Sequence, residues 1–225
     1  MEEIISFETA SKAIDLAALG LLALALFGSI VRRLDTAILL LALQGVMLGI
    51  ASGAAALAEM QWRSWAAFIV AIGVKAIVIP LALYFVLSRL SITHDLETTI
   101  STKVAFPIAA LMIPLSYSAI RPFTEGEVRA FDAPNALPAA MALLLLGLFT
   151  MVIRKNALTQ VIGLVTMENG IYLAAVAATR GLPFTVEFGV AVDVLTGVGV
   201  MGLLMHEIRR HNPALNMDRM KGSIG

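Results

Sequence analysis

The sequence predicts an all-α, integral membrane helix bundle of about seven transmembrane helices. Three observations carry that expectation. Apolar side chains make up 59% of the 225 residues and charged ones only 14%, with a mean hydropathy of +0.89, too oily for a water-soluble domain of this size. The apolar residues fall in continuous runs of about 20, long enough as helices to cross roughly 30 Å of hydrocarbon, with no β-barrel alternation. Three ionisable residues, Lys75, Glu168 and Asp193, lie deep inside those runs.

In chain order the runs are Ile14 to Val31, Thr36 to Ala58, Trp65 to Ser88, Lys103 to Ile120, Leu137 to Ile153, Ala157 to Ala178 and Phe184 to Met205. The opening Met1-Glu2-Glu3 is acidic where a secretory signal is basic, so the first run is expected to be a retained helix. Pro80 is expected to kink the third span just beyond Lys75, and Pro107 and Pro114 to bend the fourth. Leu90 to Thr102 reads as a short interfacial helix or a loop, and Arg121 through Pro134 as an exposed loop. The chain divides accordingly into residues 1–102 with Lys75, residues 103–135 with the fourth helix and its loop, and residues 136–225 with the last three helices and a tail.

Composition also excludes several chemistries. Formal net charge is zero and the basic residues are scattered, so no nucleic-acid surface is expected. Cysteine is absent, which removes disulfides, thiolate iron–sulfur ligation and cysteine zinc sites from this chain. His94, His206 and His211 lie in or beside polar stretches without metal-ligand spacing. Neither a metal nor a cofactor is therefore expected here, and any redox centre belongs to a partner.

Basic residues mark the cytoplasmic side of a membrane protein. One side collects Arg32, Arg33, Arg89, Lys103, Arg154, Lys155, Arg209, Arg210, Arg219 and Lys221; the other holds Lys12, Arg63, Arg121, Arg129 and Arg180. The N-terminus is expected outside and the C-terminus in the cytoplasm, as an odd number of spans requires.

An internal echo joins the two halves. Val31-Arg32-Arg33, a span with Gln44 and a span with Lys75 are matched by Val152-Ile153-Arg154-Lys155, a span with Glu168 and a span with Asp193. This pattern is consistent with two related three-helix units.

Lys75, Glu168 and Asp193 each lie about 15–18 Å along their spans at the helical rise per residue, so all three are expected near mid-depth. A charge there is costly and marks an ion or proton path, or a buried pair that only orients helices. Burial and neighbouring charge pull carboxylate and lysine pKa values in opposite directions, and a site poised between them relays protons when a neighbour moves. Asn169 and Tyr172 supply supporting polarity on the sixth span, and Gln44 on the second. Thr166 is expected to be satisfied by a helix backbone or a neighbouring helix, and the glycines around Asp193 to serve packing. Asp15 and Glu187, near outer ends, are weaker candidates for proton entry or exit.

The stretch Val152-Ile153-Arg154-Lys155-Asn156-Ala157-Leu158, with Val161-Ile162-Gly163-Leu164 and Met167-Glu168-Asn169-Gly170, resembles the small K subunit of respiratory complex I. The resemblance runs through Asp193 to His206-Glu207-Ile208-Arg209-Arg210 and Asn216-Met217-Asp218. With the K-like part at its C-terminal end, the chain is similar to component E of the hydrogenase 4 type, the HyfE-like subunits of group 4 membrane-bound nickel–iron hydrogenases. That resemblance implies a non-catalytic membrane-arm subunit of a hydrogenase or formate hydrogenlyase complex, in the inner membrane. It implies antiporter-like subunits, a complex I-type anchor subunit and the hydrogenase large and small subunits as partners, which hold the nickel–iron centre and the iron–sulfur clusters. In the K family one glutamate on each of the last two spans joins a lateral hydrophilic axis. Asp193 takes the place of the second; the first falls at Val165, with Glu168 one turn later on the same face, and Lys75 extends the axis. A subunit of a multi-subunit cation/proton antiporter, or a stand-alone small-molecule transporter, is the alternative.

Overall fold

The computed structural model describes residues 2–59, 62–89, 98–124, 133–155 and 157–178, and within them the fold is all-α. Six apolar helical spans are long enough to cross a membrane: Phe7–Ile30, Leu34–Ala58, Ser64–Phe85, Thr102–Pro122, Ala136–Ile153 and Leu158–Ala177. These are the first six expected runs, displaced by a few residues at their ends. The seventh, with Asp193 and Glu187, lies outside the described residues, as do the three histidines.

Helix α1 (Glu2–Ile30) turns through Val31 to Arg33 into α2 (Leu34–Glu59). The turn is closed by the Ala37 amide bonding the Arg33 carbonyl at 3.1 Å. Asp35, in the first turn of α2, meets both the helix dipole and a two-pronged contact from the Arg33 guanidinium at 2.9 and 3.1 Å. The third span, expected as a helix kinked by Pro80 just beyond Lys75, changes pitch before that proline. It starts as α3 (Trp62–Val70), widens into a π-helical stretch over Ala71–Val78 that contains Lys75, and returns as α4 (Ile79–Arg89). Every residue of this stretch after Lys75 is apolar, so nothing in the hydropathy pattern distinguishes the wider spacing from an ordinary helix.

After α4, Thr98 pairs with Arg154, and the Thr99 amide bonds the Ile153 carbonyl at 2.8 Å. The Ser101 carbonyl then accepts from Val104 and Ala105 to start α5 (Thr102–Thr124). Here the sequence expectation of a loop from Arg121 is corrected: residues 121 to 124 remain helical, Pro122 being compatible with a helical φ. α5 keeps all three of its prolines inside a continuous helix and is the least buried span, on the outside of the bundle against α1 and α6.

Two antiparallel hairpins make the centre. α1 packs on α2, and α6 (Ala136–Ile153) packs on α7 (Ala157–Ala178); side by side, α1 meets α6 and α2 meets α7. The α6–α7 hairpin closes to backbone contact through glycine: a Cβ on Gly147 would lie 2.6 Å from both the Gly163 carbonyl oxygen and the Met167 nitrogen. α6 is also tied to α1 at both ends. At its start the Asn135 amide donates to Asp15 Oδ1 at 2.7 Å and the Asn135 side chain donates to Asp15 Oδ2. At its finish Arg154, read from the sequence as a water-facing loop cation, is instead buried at 3% exposure. Its extended backbone, with φ −95° and ψ 134°, aims the side chain inward. Nη2 there donates to the carbonyls of Val31 at 2.7 Å and Ser29 at 3.0 Å, where the α1 dipole is negative. Burial pulls the guanidinium below its usual pKa. Arg154→Met is expected to lower stability by about 2–3 kcal/mol, the scale of hydrogen bonds from a charged donor. A thermal melt in detergent reads this, and an unchanged midpoint refutes the cap.

Two apolar clusters fill the interior. One gathers Leu21, Leu48, Leu143, Leu146 and Leu173 from α1, α2, α6 and α7. The other gathers Leu41, Ile79, Leu83, Leu158 and Val165 from α2, α4 and α7. Between Leu41 and Leu48 α2 carries Gln44, and between Val165 and Tyr172 α7 carries Thr166, Glu168 and Asn169, so polar side chains interrupt the apolar interior.

Candidate functional site

That interruption is where Lys75, Glu168, Asn169 and Gln44 meet. Apolar burial around it is complete, since the four are 1%, 3%, 1% and 2% exposed. Lys75 Nζ donates to Glu168 Oε1 at 2.8 Å, joining two residues 93 positions apart. Tyr172, one turn beyond Glu168, places its ring 5.4 Å from the same ammonium, so the cation is held by a carboxylate on one side and a π face on another. Beside the pair, Asn169 Nδ2 donates to Gln44 Oε1 at 3.0 Å, linking α7 to α2.

The order along α7 explains the convergence. Glu168 and Asn169 are adjacent and therefore about 100° apart around the helix, so one faces the third span and the other faces α2. Thr166 takes no part, bonding the Ile162 carbonyl of its own helix at 2.9 Å. Val165, where the K-like alignment set its first acid, lies in the apolar cluster below, 1% exposed. The structure thus brings together Lys75, Glu168, Gln44, Asn169 and Tyr172 at one level, while Asp193 lies outside the described residues. Asp15, considered for proton entry, is engaged by Asn135 at the start of α6.

Two contributors went unread in the sequence. Gly45, next to Gln44, lets α2 touch the backbone of Lys75 and Ala76: a Cβ there would lie 2.5 Å from the Ala76 nitrogen. A glycine beside a buried amide in an apolar helix was the available signal. The π-helical stretch had only a weak one, Gly73 and Pro80 flanking the lysine. Extra residues in a helical turn are frequent at functional sites, because they turn one side chain out of register with its helix.

Chemically, the site is a desolvated ammonium–carboxylate pair with an amide pair alongside. It carries no nucleophile activated by a base. Among the described residues no three His, Asp or Glu side chains converge as metal ligands, and the chain has no cysteine.

Comparison with known proteins agrees with this picture. Residues 136–223 match the family of NADH-ubiquinone/plastoquinone oxidoreductase chain 4L. Hydrogenase-4 component E of Escherichia coli K12 is 27% identical over 151 residues, 67% of this chain and 69% of that protein, and the Shigella flexneri protein of the same name matches equally. An uncharacterized protein of Mycobacterium tuberculosis is 39% identical over 87 residues, 39% of this chain and only 40% of that protein's length. No solved structure matches. With its six apolar spans and buried charges the chain is a multi-spanning membrane protein, whose residues 136–223 are similar to chain 4L of NADH-ubiquinone/plastoquinone oxidoreductase and which over 151 residues is similar to hydrogenase-4 component E.

Proposed function

We propose that this chain is a non-catalytic membrane-arm subunit of a hydrogenase or formate hydrogenlyase complex, in which Lys75, Glu168 and Asp193 relay protons coupled to redox chemistry in partner proteins. The observation that carries the reading is the Lys75–Glu168 pair, 2.8 Å apart and sealed from water between two apolar clusters. A proton on either member changes the charge balance of the other at low dielectric, so the pair responds to any neighbour that moves a charge toward it. Gln44 and Asn169 extend the polarity laterally toward α2, and Tyr172 steadies the ammonium. Asp193 is the proposed next station, on the span after α7. Partners are antiporter-like and anchor-type membrane subunits and the hydrogenase large and small subunits, which carry the nickel–iron centre and iron–sulfur clusters on the cytoplasmic side of the inner membrane. The N-terminus lies outside in this proposal, and the C-terminus inside.

Glu168→Gln keeps an oxygen that accepts from Lys75 Nζ but holds no transferable proton; Asp193→Asn does the same at its position. Asp193→Asn is expected to leave the complex assembled, and Glu168→Gln, which leaves Lys75 facing an amide in place of its counter-charge, to assemble at reduced yield; in the assembled complex of each, the rate of proton movement into sealed vesicles during hydrogen evolution is expected to fall by about 10²-fold, the scale of a lost proton-transfer group. Parental proton movement in both assembled variants refutes the relay.

A further inference from the structure

One end of the bundle gathers cations. α1, α4 and α6 finish there and α2, α5 and α7 begin there, and Arg32, Arg33, Lys103, Arg154 and Lys155 lie at these ends and in the turns between them. Among the described residues Asp35 is the acid at this end, and Arg33 already holds it. Arg32, Lys103 and Lys155 are exposed and meet no carboxylate among the described residues. Arg154 adds a buried charge beside the peptide that leads into Arg32: its Nη2 donates to the Val31 carbonyl, while its Nη1 finds no acceptor.

Two of these cations are fixed side by side. Arg32 Nε donates to Thr102 Oγ1 at 3.2 Å, which carries the guanidinium from the α1–α2 turn onto the first turn of α5, where Lys103 is next in the chain. The Thr102 hydroxyl, accepting from Arg32, keeps its own hydrogen to donate. Phe106 follows Lys103 by three residues and Thr102 by four, so it lies one turn deeper along α5, between the two. Pro107, Leu111 and Pro114 continue inward from Lys103 on the same face. All four are exposed, Phe106 at 43% and Leu111 at 68%. From Lys103 to Pro114 the helix rises about 16 Å, close to half of a hydrocarbon core roughly 30 Å thick.

The cations and the strip together select one kind of ligand. A soluble phosphate satisfies the cations and leaves the strip bare. An apolar helix or an uncharged lipid covers the strip and leaves the cations facing one another. An amphiphile with an anionic head and a chain one leaflet long satisfies both.

We propose that Arg32, Thr102 and Lys103 form a headgroup site for an anionic phospholipid, whose acyl chain lies along Phe106, Pro107, Leu111 and Pro114 of α5. The phosphate is met by two cations and a hydroxyl. Arg154 strengthens the site without touching the lipid, through its buried positive charge beside the Val31–Arg32 peptide. The site is separate from the Lys75–Glu168 pair and stands whether or not that pair relays protons.

To test it, the full-length protein is extracted with its companion proteins and returned to phosphatidylcholine vesicles. The vesicles carry a trace of phosphatidylglycerol, or of phosphatidylcholine, with a photoactivatable diazirine in the acyl chain. After irradiation, the phosphatidylglycerol label is expected on the peptide of residues 103–114 at about 30-fold the yield of the phosphatidylcholine label, the attraction of an anionic head to two basic residues at a membrane surface. Arg32→Gln and Lys103→Gln are each expected to reduce that ratio about fivefold, and the double variant to bring it close to one. Arg32→Lys with Lys103→Arg retains the charges and is expected to retain the preference, as is Lys12→Gln, at the opposite end, where Glu8 pairs with the lysine. Equal labelling by the two lipids in the parent protein overturns the proposal, as does a strip left unlabelled because a protein covers it. A preference that survives loss of both cations overturns the headgroup assignment.

Discussion

Lys75→Met is expected to destabilise the chain by about 3–5 kcal/mol, because it leaves the Glu168 carboxylate at 3% exposure without its counter-charge. Yield of the assembled complex and the thermal midpoint in detergent both read this loss. The double change Lys75→Met with Glu168→Met removes both charges at similar volume and is expected to restore stability to within about 1 kcal/mol, since replacing a buried pair by apolar groups is often neutral. Proton movement separates the two roles left open by the sequence. A relay is abolished in the restored double variant, whereas a pair that only orients helices leaves coupling at the parental level. A double variant as unstable as the single one shows that Glu168 is not the residue stranded.

Gly45→Ala is expected to force α2 and the third span apart. The new Cβ would lie 2.5 Å from the Ala76 nitrogen and 2.6 Å from both the Ala76 Cα and the Lys75 carbonyl carbon. All three are backbone atoms, so no side-chain rotation relieves the contact, and α2 must back away from the π-helical stretch. Overpacking of this kind costs about 1–3 kcal/mol, and the shift also lengthens the Lys75–Glu168 contact. Gly73→Ala, in the same stretch but with nothing within 4 Å of its added carbon, is the matched control and is expected to be silent. Equal melting of the two variants contradicts the close approach.

The spans were legible because hydrocarbon selects on one-dimensional properties, length and polarity, which a sequence displays directly. The same directness exposed Lys75 and Glu168: a charge in an oily run is visible without knowing its neighbours. A buried pair of Lys75 with either Glu168 or Asp193 was conceivable from the sequence, but which carboxylate it meets is set by how α7 lies against the third span, 93 residues away. Gln44 was read as a hydrogen-bonding residue, yet its partner Asn169 depends on the same packing. Arg154 was misread because a terminal basic pair looks alike whether it faces water or not. Only the extended backbone at the end of α6, which turns Arg154 in and leaves Lys155 exposed, decides it. The π-helical stretch left only the weak trace of Gly73 and Pro80, because apolar residues fill a wider turn as readily as a normal one.

The clasp of α6 onto α1, by Asn135 on Asp15 at one end and Arg154 on Val31 at the other, divides the bundle mechanically. Fastened at both ends, α6 resists sliding along α1. α7, closed onto α6 through Gly147, shares that restraint, so Glu168 is carried on the braced side of the bundle and Lys75 is brought to it by the third span.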